Sequence, residues 1–179
     1  MARNQQRKNL PQLIIAFKKL LERRNDVLLY LHCEPMQDQG GDLLNLCESL
    51  GLATSGPEPK VVFPTGFNVG VGYSIEDLNK IHNCSTLCVN TSFGEGWNCS
   101  VSEGFATKTP VIGPKNTSFI ELLDDDRGFL YDSGESWDKY IVFPNDNNVW
   151  RPLPNLIQLV DTMSYVLDNK NEANRRVER

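Results

Sequence analysis

The segment Glu95 to Glu103 contains the residues of this chain that are best suited to chemistry. Two carboxylates stand eight positions apart, and Gly94 and Gly96 flank the first of them. The glycines allow a sharp backbone turn and the close approach of a ligand. A carboxylate can accept hydrogen bonds from two neighbouring hydroxyls. The segment therefore indicates a site for a hydroxyl-rich ligand, although two acids at this spacing are, by themselves, more often solvated surface groups.

The residues after the bend are expected to begin a helix. Asn98 is a favoured helix cap that would leave backbone donors available. N–H groups at the start of a helix, here residues 98 to 100, favour a phosphate or a sugar oxygen. Glu103 would fall one to two turns into this helix, so we expect both carboxylates to face one crevice.

A second candidate group lies at the amino end, where Arg3 and Lys8 precede another predicted helix. Two cations beside a helix start offer charge-assisted hydrogen bonds to phosphate oxygens. Taken alone, such a pair is more often an ordinary basic terminus. Its interpretation therefore depends on the rest of the chain.

An α/β framework is expected to position these residues. Five short apolar runs, the first of a kind covered on both faces, predict strands at 27–31, 60–63, 86–89, 109–112 and 128–131. Helices are predicted over 10–21, about 42–50, and from Ser74, Asn98, Ser118 and Asn155. Capping boxes support two of these starts, Ser74 with Asp77 and Ser118 with Glu121. The alternation favours a Rossmann-like, doubly wound parallel sheet with helices on both faces.

The length of the chain suits one domain. Its 179 residues, 40% hydrophobic and 23% charged, have an ordinary globular composition. We expect the domain to span 1–168, followed by a charged tail or helix extension at 169–179 that is solvated or frayed. The stretch 133–154, rich in Asp, Asn, Pro and Gly, predicts a long connection. Because a doubly wound unit normally opens with a strand, the first strand is expected to be missing.

Composition argues against several other classes of protein. A formal net charge of −5 gives no sign of a nucleic-acid partner. The apolar runs are too short to cross a bilayer and no signal peptide is recognisable, so a soluble, cytoplasmic protein is expected. The five cysteines lack metal-ligand spacing, which predicts reduced thiols and no metal site. His32 and His82 are interpreted as packed or capped side chains rather than catalysts.

The stretch from residue 95 to 112, E-G-W-N-C-S-V-S-E-G-F-A-T-K-T-P-V-I, closely resembles a region of retaining glycosyltransferases of the glycosyltransferase B fold, group 1 or family 4 type. The usual form there is E-G-F-G-x-x-x-x-E-A-x-A-x-G-x-P-V-I. This chain departs from it at Asn98, which replaces the Gly after the aromatic residue, at Gly104, which replaces Ala, and at Lys108, which stands where Gly is common; Trp97 keeps an aromatic residue in place of Phe. Residues 76–83 are similar to the helix that precedes this region, and the resemblance spans about 3–131 and leaves 133–154 unmatched.

This resemblance implies the carboxyl-terminal, donor-binding domain of such an enzyme. Arg3 and Lys8 have the spacing of the family's donor-diphosphate residues, Glu95 would contact hydroxyls of the transferred sugar, and Glu103 would hold the ribose. The base would lie near 66–73, where Tyr73 could stack. The expected catalytic residues are Arg3, Lys8 and Glu95, and the expected donor-binding residues are Arg3, Lys8, Tyr73, Gly94, Glu95, Gly96, Trp97, Asn98, Cys99 and Glu103.

The same resemblance implies transfer of a hexose-type sugar from a nucleoside diphosphate sugar with retention of configuration and without a metal cofactor. The acceptor, a glycan, lipid or protein, would be bound by an amino-terminal domain that is absent here. The chain is therefore expected to be a fragment that is inactive alone. Peripheral membrane association of the full-length enzyme is left open.

Two other interpretations remain. The chain could be a non-catalytic nucleotide-sugar binding module or the subunit of a split enzyme. Donor binding without transfer in any assembly would favour the module, and co-purification with a separate acceptor domain would favour the split enzyme. A nicotinamide-dependent oxidoreductase is disfavoured, because no G-x-G-x-x-G joins a strand to a helix.

Overall fold

The structure, a computed structural model, describes residues 2–67, 70, 72–124, 127–144 and 146–178. Residue contacts divide the chain into two units, Met1–Ile81 and His82–Arg179. Strands in both units pair in parallel and alternate with helices, so the predicted α/β class is confirmed. Within the described ranges, no helix is both long and apolar enough to span a membrane.

The first unit begins with a 3-10 turn, Gln6–Lys8. In chain order its further elements are α1 (Leu10–Leu21), β1 (Leu29–Tyr30), β2 (Met36–Gln37), β3 (Gly41–Asp42), α2 (Leu43–Ser49), β4 (Val61–Val62) and α3 (Ile75–Cys84), which ends in the second unit. Helix α1 forms as predicted, because apolar residues recur along one face: Leu10, Leu13, Ile14, Phe17 and Leu20 are all buried. Strand β1 pairs in parallel with β4, and β2 forms an antiparallel hairpin with β3.

The second unit is built on a parallel sheet of strand order β5-β6-β7. Its elements are β5 (Cys88–Val89), α4 (Cys99–Ala106), β6 (Val111–Pro114), α5 (Thr117–Leu122), β7 (Phe129–Tyr131), β8 (Tyr140–Val142), β9 (Trp150–Pro152), α6 (Leu156–Asp168) and α7 (Lys170–Val177). The sheet and two helices enclose an apolar core of Val101, Val111, Phe119, Leu122 and Leu123. Gly113 permits this packing, because a Cβ there would lie 2.6 Å from a Phe119 ring carbon.

Several strands are shorter than expected, and one strand and one helix start are shifted. The first strand spans two residues rather than 27–31, and it is not covered on both faces, since Leu29 and Tyr30 are both only half-buried. The strand expected at 109–112 is shifted to β6. The capping box at Ser118 is wrong: α5 begins at Thr117 with Asn116 in the cap position, and the buried Ser118 hydroxyl donates to the Trp97 carbonyl at 3.5 Å.

The carboxyl-terminal part differs from expectation in one place. The stretch 133–154 is not a plain connection, because β8 and β9 form an antiparallel hairpin within it. Of the two alternatives predicted after residue 168, a tail or a helix extension, the structure has a helix, α7, in which Ala173 is buried. Arg176 anchors this helix by lying over the Phe129 ring, 4.2 Å from its centroid. The predicted domain limit at residue 168 stays a prediction.

Lys108 ends α4 in a conformation that suits glycine. Its φ is +56°, in the left-handed region. The Lys108 N–H donates to the Phe105 carbonyl at 3.0 Å, and the Thr109 N–H donates to the Gly104 carbonyl at 2.8 Å. These two bonds define a Schellman motif, whose left-handed residue is usually glycine.

Lys108→Gly is therefore expected to raise the free energy of unfolding by about 1 kcal/mol, because glycine adopts this conformation without the Cβ penalty. Urea denaturation followed by circular dichroism measures the change. Lys108→Ala is the matched control, since it removes the charge but keeps Cβ. An equal gain in both variants would show that the charge, not the backbone, causes the effect.

Candidate functional site

The predicted bend lies at the carboxyl edge of the second unit's sheet. Residues 90–98 follow β5, and residues 115–116 follow the adjacent parallel strand β6, so both loops emerge at the same edge. The Glu95 N–H donates to the Thr117 hydroxyl at 3.0 Å and thereby joins the two loops. Glu95 is half-buried, whereas Trp97 is 62% exposed. The bend is thus held at its base and open at its tip.

The two glycines of the bend have different surroundings. A Cβ on Gly94 would lie 2.8 Å from Nη1 of Arg151 and 3.2 Å from Cγ2 of Thr117, so a larger residue there would have to displace the Arg151 guanidinium. A Cβ on Gly96 would meet nothing within 4 Å. Of the two, only Gly96 faces space that a ligand could enter.

Asn98 begins α4 as predicted. Its φ is +71°, and its Oδ1 accepts from the Ser100 N–H at 3.2 Å and from the Ser100 hydroxyl at 2.6 Å. Its Nδ2 donates to Oδ1 of Asn90 at 3.0 Å. The expectation that Asn98 would leave the amides of the first turn available is therefore wrong for Ser100, whose N–H is already bonded. Asn90 was missed, although its place directly after a strand was a usable signal.

Glu103 lies in α4 at the depth that was predicted. Its Oε2 is 3.3 Å from Nε2 of His82, a side chain that is only 7% exposed, while the Glu103 side chain is 42% exposed. The Thr109 hydroxyl donates to the His82 carbonyl at 3.1 Å. The interpretation of His82 as a packed residue is confirmed. Its ring also anchors one oxygen of a carboxylate that is still accessible to a ligand.

The cationic segment of the first unit is fixed to the β2–β3 hairpin. The Asn4 side-chain amide donates to the Pro35 carbonyl at 3.1 Å and to the Gly41 carbonyl at 2.8 Å, and the Gln6 N–H donates to the Gln39 carbonyl at 2.8 Å. Asn4 is buried against Gly40, where a Cβ would overlap it. Asn4 and Gln6 are thus fixed in place, and they lie in the sequence between the exposed Arg3 and the half-buried Lys8.

Arg3 lines a small cavity near the loop that was predicted to bind the base. The cavity has a volume of about 140 Å³ and is lined by Ala2, Arg3, His32, Glu34 and Phe67. The Tyr73 ring packs 4.9 Å from His32 and 5.8 Å from Phe67, and its hydroxyl donates to the Thr65 carbonyl at 2.8 Å. Asn68, Val69 and Val71 of the predicted loop 66–73 lie outside the described residues. Stacking of a base on Tyr73 stays a prediction.

The predicted residues thus form two groups. Arg3, Lys8 and Tyr73 belong to the first unit, and residues 94–103 belong to the second. Their joint action on one donor stays a prediction. Cys99 is exposed, whereas burial raises the pKa of the Cys33 thiol to about 12 and so keeps it protonated. Among the residues that the structure describes, no group of three His, Cys, Asp or Glu side chains is placed to hold a metal ion.

Comparison with known proteins identifies the fold. No protein-family model matches the chain, and no curated protein matches it in sequence. The carboxyl-terminal domain of a glycosyl transferase group 1 family protein (LpcC) from Francisella tularensis matches with a TM-score of 0.69 at 17% identity, over 99% of this chain and 77% of that one.

Two longer proteins give a similar result. Sucrose-phosphate synthase from Thermosynechococcus elongatus has a TM-score of 0.67 at 18% identity, over 99% of this chain and 37% of that one. HepE from Anabaena, solved in complex with UDP, has a TM-score of 0.65 at 18% identity, over 99% of this chain and 40% of that one. The chain therefore has the fold of the carboxyl-terminal domain of glycosyltransferases of the glycosyltransferase B type. It spans less than half the length of these two proteins.

Proposed function

We propose that this chain is the donor-binding domain of a glycosyltransferase that uses a nucleoside diphosphate sugar. The observation that carries the proposal is the Glu95 to Glu103 segment, which resembles the family's motif and follows β5 at the carboxyl edge of a parallel sheet, in a chain whose fold is that of the structural neighbours. Ligands of open α/β sheets bind at this edge. The complex of HepE with UDP, a protein of the same fold, supports a nucleotide ligand.

Glu95 and Glu103 have separate parts in this proposal. Glu95 contacts hydroxyls of the transferred sugar. Glu103 accepts from the two ribose hydroxyls, and His82 holds its carboxylate at 3.3 Å in a fixed position. A carboxylate that is anchored before binding loses less conformational freedom when the ligand arrives.

Arg3 and Lys8 stabilise the diphosphate in the proposed reaction. The bond between the anomeric carbon and the phosphate oxygen breaks, and positive character develops at that carbon. The acceptor oxygen forms its new bond on the same face, and its proton passes to an oxygen of the leaving phosphate. Cationic side chains lower the barrier by stabilising the charge of the leaving group. The proposed reaction retains the configuration of the anomeric carbon, and no metal ion takes part in it.

The acceptor is proposed to bind to an amino-terminal domain supplied with, or attached to, this one. The support is that the chain covers 37% and 40% of two longer proteins with this fold. Donor binding without sugar transfer is the expected behaviour of the 179 residues alone. Robust transfer by these residues without a partner would contradict this part of the proposal.

Calorimetric titration with UDP, GDP, ADP and their glucose or mannose derivatives tests the function. At least one nucleotide is expected to bind, and Lys8→Ala is expected to weaken its binding about tenfold or more. A charge-assisted hydrogen bond contributes about 1.5–3 kcal/mol, and each 1.4 kcal/mol is about tenfold in affinity. Lys170→Ala, which removes an exposed lysine of α7, is the control. If none of these nucleotides binds, the proposed function is refuted.

A further inference from the structure

Arg151 is a cation that the resemblance does not include, because it lies on β9 in the unmatched stretch 133–154. Its Nε donates to Oδ2 of Asp146 at 2.5 Å, and its Nη2 donates to Oδ1 at 2.8 Å. The two side chains are only 17% and 26% exposed. Paired, parallel bonds of this kind fix the plane of a guanidinium. Asp146 thus holds Arg151 in one orientation.

The guanidinium nitrogen that Asp146 does not bind, Nη1, lies against the bend. A Cβ built on Gly94 would be 2.8 Å from this nitrogen. The hydrogen bonds that Arg151 donates to Asp146 raise the pKa of Arg151 above its ordinary value, and the negative charge of Glu95 adds to the effect. Arg151 is therefore a permanent cation within electrostatic reach of the predicted sugar-binding carboxylate.

The chemistry of this pair favours a hydroxyl over a phosphate. A guanidinium only donates hydrogen bonds and a carboxylate only accepts them, whereas a hydroxyl does both. A sugar hydroxyl can therefore accept from Nη1 and donate to Glu95 at once. A phosphate group has only acceptors near neutral pH, and the carboxylates of Glu95 and Asp146 would repel it.

We propose that Arg151 contacts a hydroxyl of the transferred sugar next to Glu95, so that the β8–β9 hairpin takes part in selecting the sugar. The inference rests on the proposed function, in which Glu95 contacts that sugar. It assigns a second, oppositely charged group to the same subsite. Glycine at position 94 lets the guanidinium keep this position, since a Cβ there would lie 2.8 Å from Nη1 and displace it.

The test compares each nucleotide sugar with its own nucleoside diphosphate. UDP, UDP-glucose, GDP and GDP-mannose are titrated into the wild-type chain and into Arg151→Gln. For the sugar nucleotide that binds, Arg151→Gln is expected to lower affinity about tenfold or more, because a hydrogen bond from a charged donor is lost. Affinity for the free nucleoside diphosphate is expected to change less than about twofold, since Arg151 does not contact it.

Two further variants keep the result interpretable. Arg127→Gln removes an exposed, aspartate-paired arginine of the same unit and is expected to change neither affinity. Gly94→Ala leaves the charge of Arg151 intact but displaces Nη1, and it should reproduce the selective loss even if Arg151→Gln folds poorly. Equal losses for sugar nucleotide and diphosphate, or no loss in either variant, would overturn the inference while leaving the proposed function intact. Where the wild-type chain binds ADP and its sugar rather than these four probes, that pair takes their place. A chain that binds no nucleotide of this wider set removes both the inference and the proposed function.

Discussion

Glu103→Ala is expected to weaken the binding of a nucleoside diphosphate by about tenfold to a hundredfold in calorimetric titration. The carboxylate is proposed to accept from both ribose hydroxyls, and hydrogen bonds to a charged group contribute about 1.5–3 kcal/mol each. The loss should be equal for the nucleoside diphosphate and its sugar, because the ribose is common to both. This result distinguishes Glu103 from Arg151, because replacing Arg151 should weaken the binding of the sugar nucleotide only.

The main alternative is that Glu103 only stabilises the fold through its contact with buried His82. Circular dichroism melting curves distinguish the two roles, and Glu103→Gln, which can still bond to His82, provides the matched variant. If Glu103 accepts from both ribose hydroxyls, Glu103→Gln should also bind the nucleotide more weakly, because glutamine is a neutral acceptor with one oxygen. Glu121→Ala removes an exposed acid of α5 and should have no effect. Wild-type affinity in Glu103→Ala would remove this residue from the site.

Phe119→Ala is expected to lower the free energy of unfolding by about 3–5 kcal/mol, the cost of a large cavity in a packed core. Phe119 is fully buried between Gly113 of β6 and the neighbouring apolar side chains. Urea denaturation measures the change. Because α5 also carries Thr117, whose hydroxyl accepts from the Glu95 N–H, loss of this packing should loosen the bend as well.

Ile120→Ala is the control for this prediction. Ile120 follows Phe119 on the same helix but is 48% exposed, so its replacement should change stability by no more than about 0.5 kcal/mol. Similar losses in both variants would show that helix propensity, rather than core packing, dominates the stability of α5.

Sequence patterns predicted the parts of the fold that depend on local periodicity. Helices α1 and α6 each present one apolar face, and both were predicted close to their observed limits. The bend at Glu95 and the start of α4 at Asn98 were also predicted, because glycines and an asparagine cap act through their own backbone. The presence of such local signals explains why the motif could be placed on a loop and a helix from sequence alone.

The β8–β9 hairpin left no comparable signal. Tyr140, Ile141 and Val142 are all exposed, so the strand lacks the apolar and polar alternation of a half-buried strand. Asn147 and Asn148 both have positive φ, and asparagines in such a turn are as typical of an irregular connection as of a hairpin. Arg151 was missed for this reason, since its place beside Gly94 follows only from the pairing of β9.

Contacts between residues far apart in the sequence could not be predicted from local patterns either. His82 and Glu103 are 21 positions apart and lie on two different helices, α3 and α4, so no local rule relates them. The Ser118 capping box failed because its two residues satisfy the spacing rule by chance, while Asn116 holds the cap position. Spacing rules alone cannot choose between two cap candidates that stand two positions apart.

The burial of Asn4 against Gly40 has a consequence for how homologous sequences should vary. The side-chain amide of Asn4 fills the space next to the Gly40 backbone and bonds to the Pro35 and Gly41 carbonyls. A Cβ at position 40 would lie 2.0 Å from Oδ1 of Asn4 and 2.2 Å from its backbone carbonyl oxygen, so a smaller side chain at position 4 would not make room for it. Relatives of this chain are therefore expected to keep glycine at position 40, whichever residue occupies position 4.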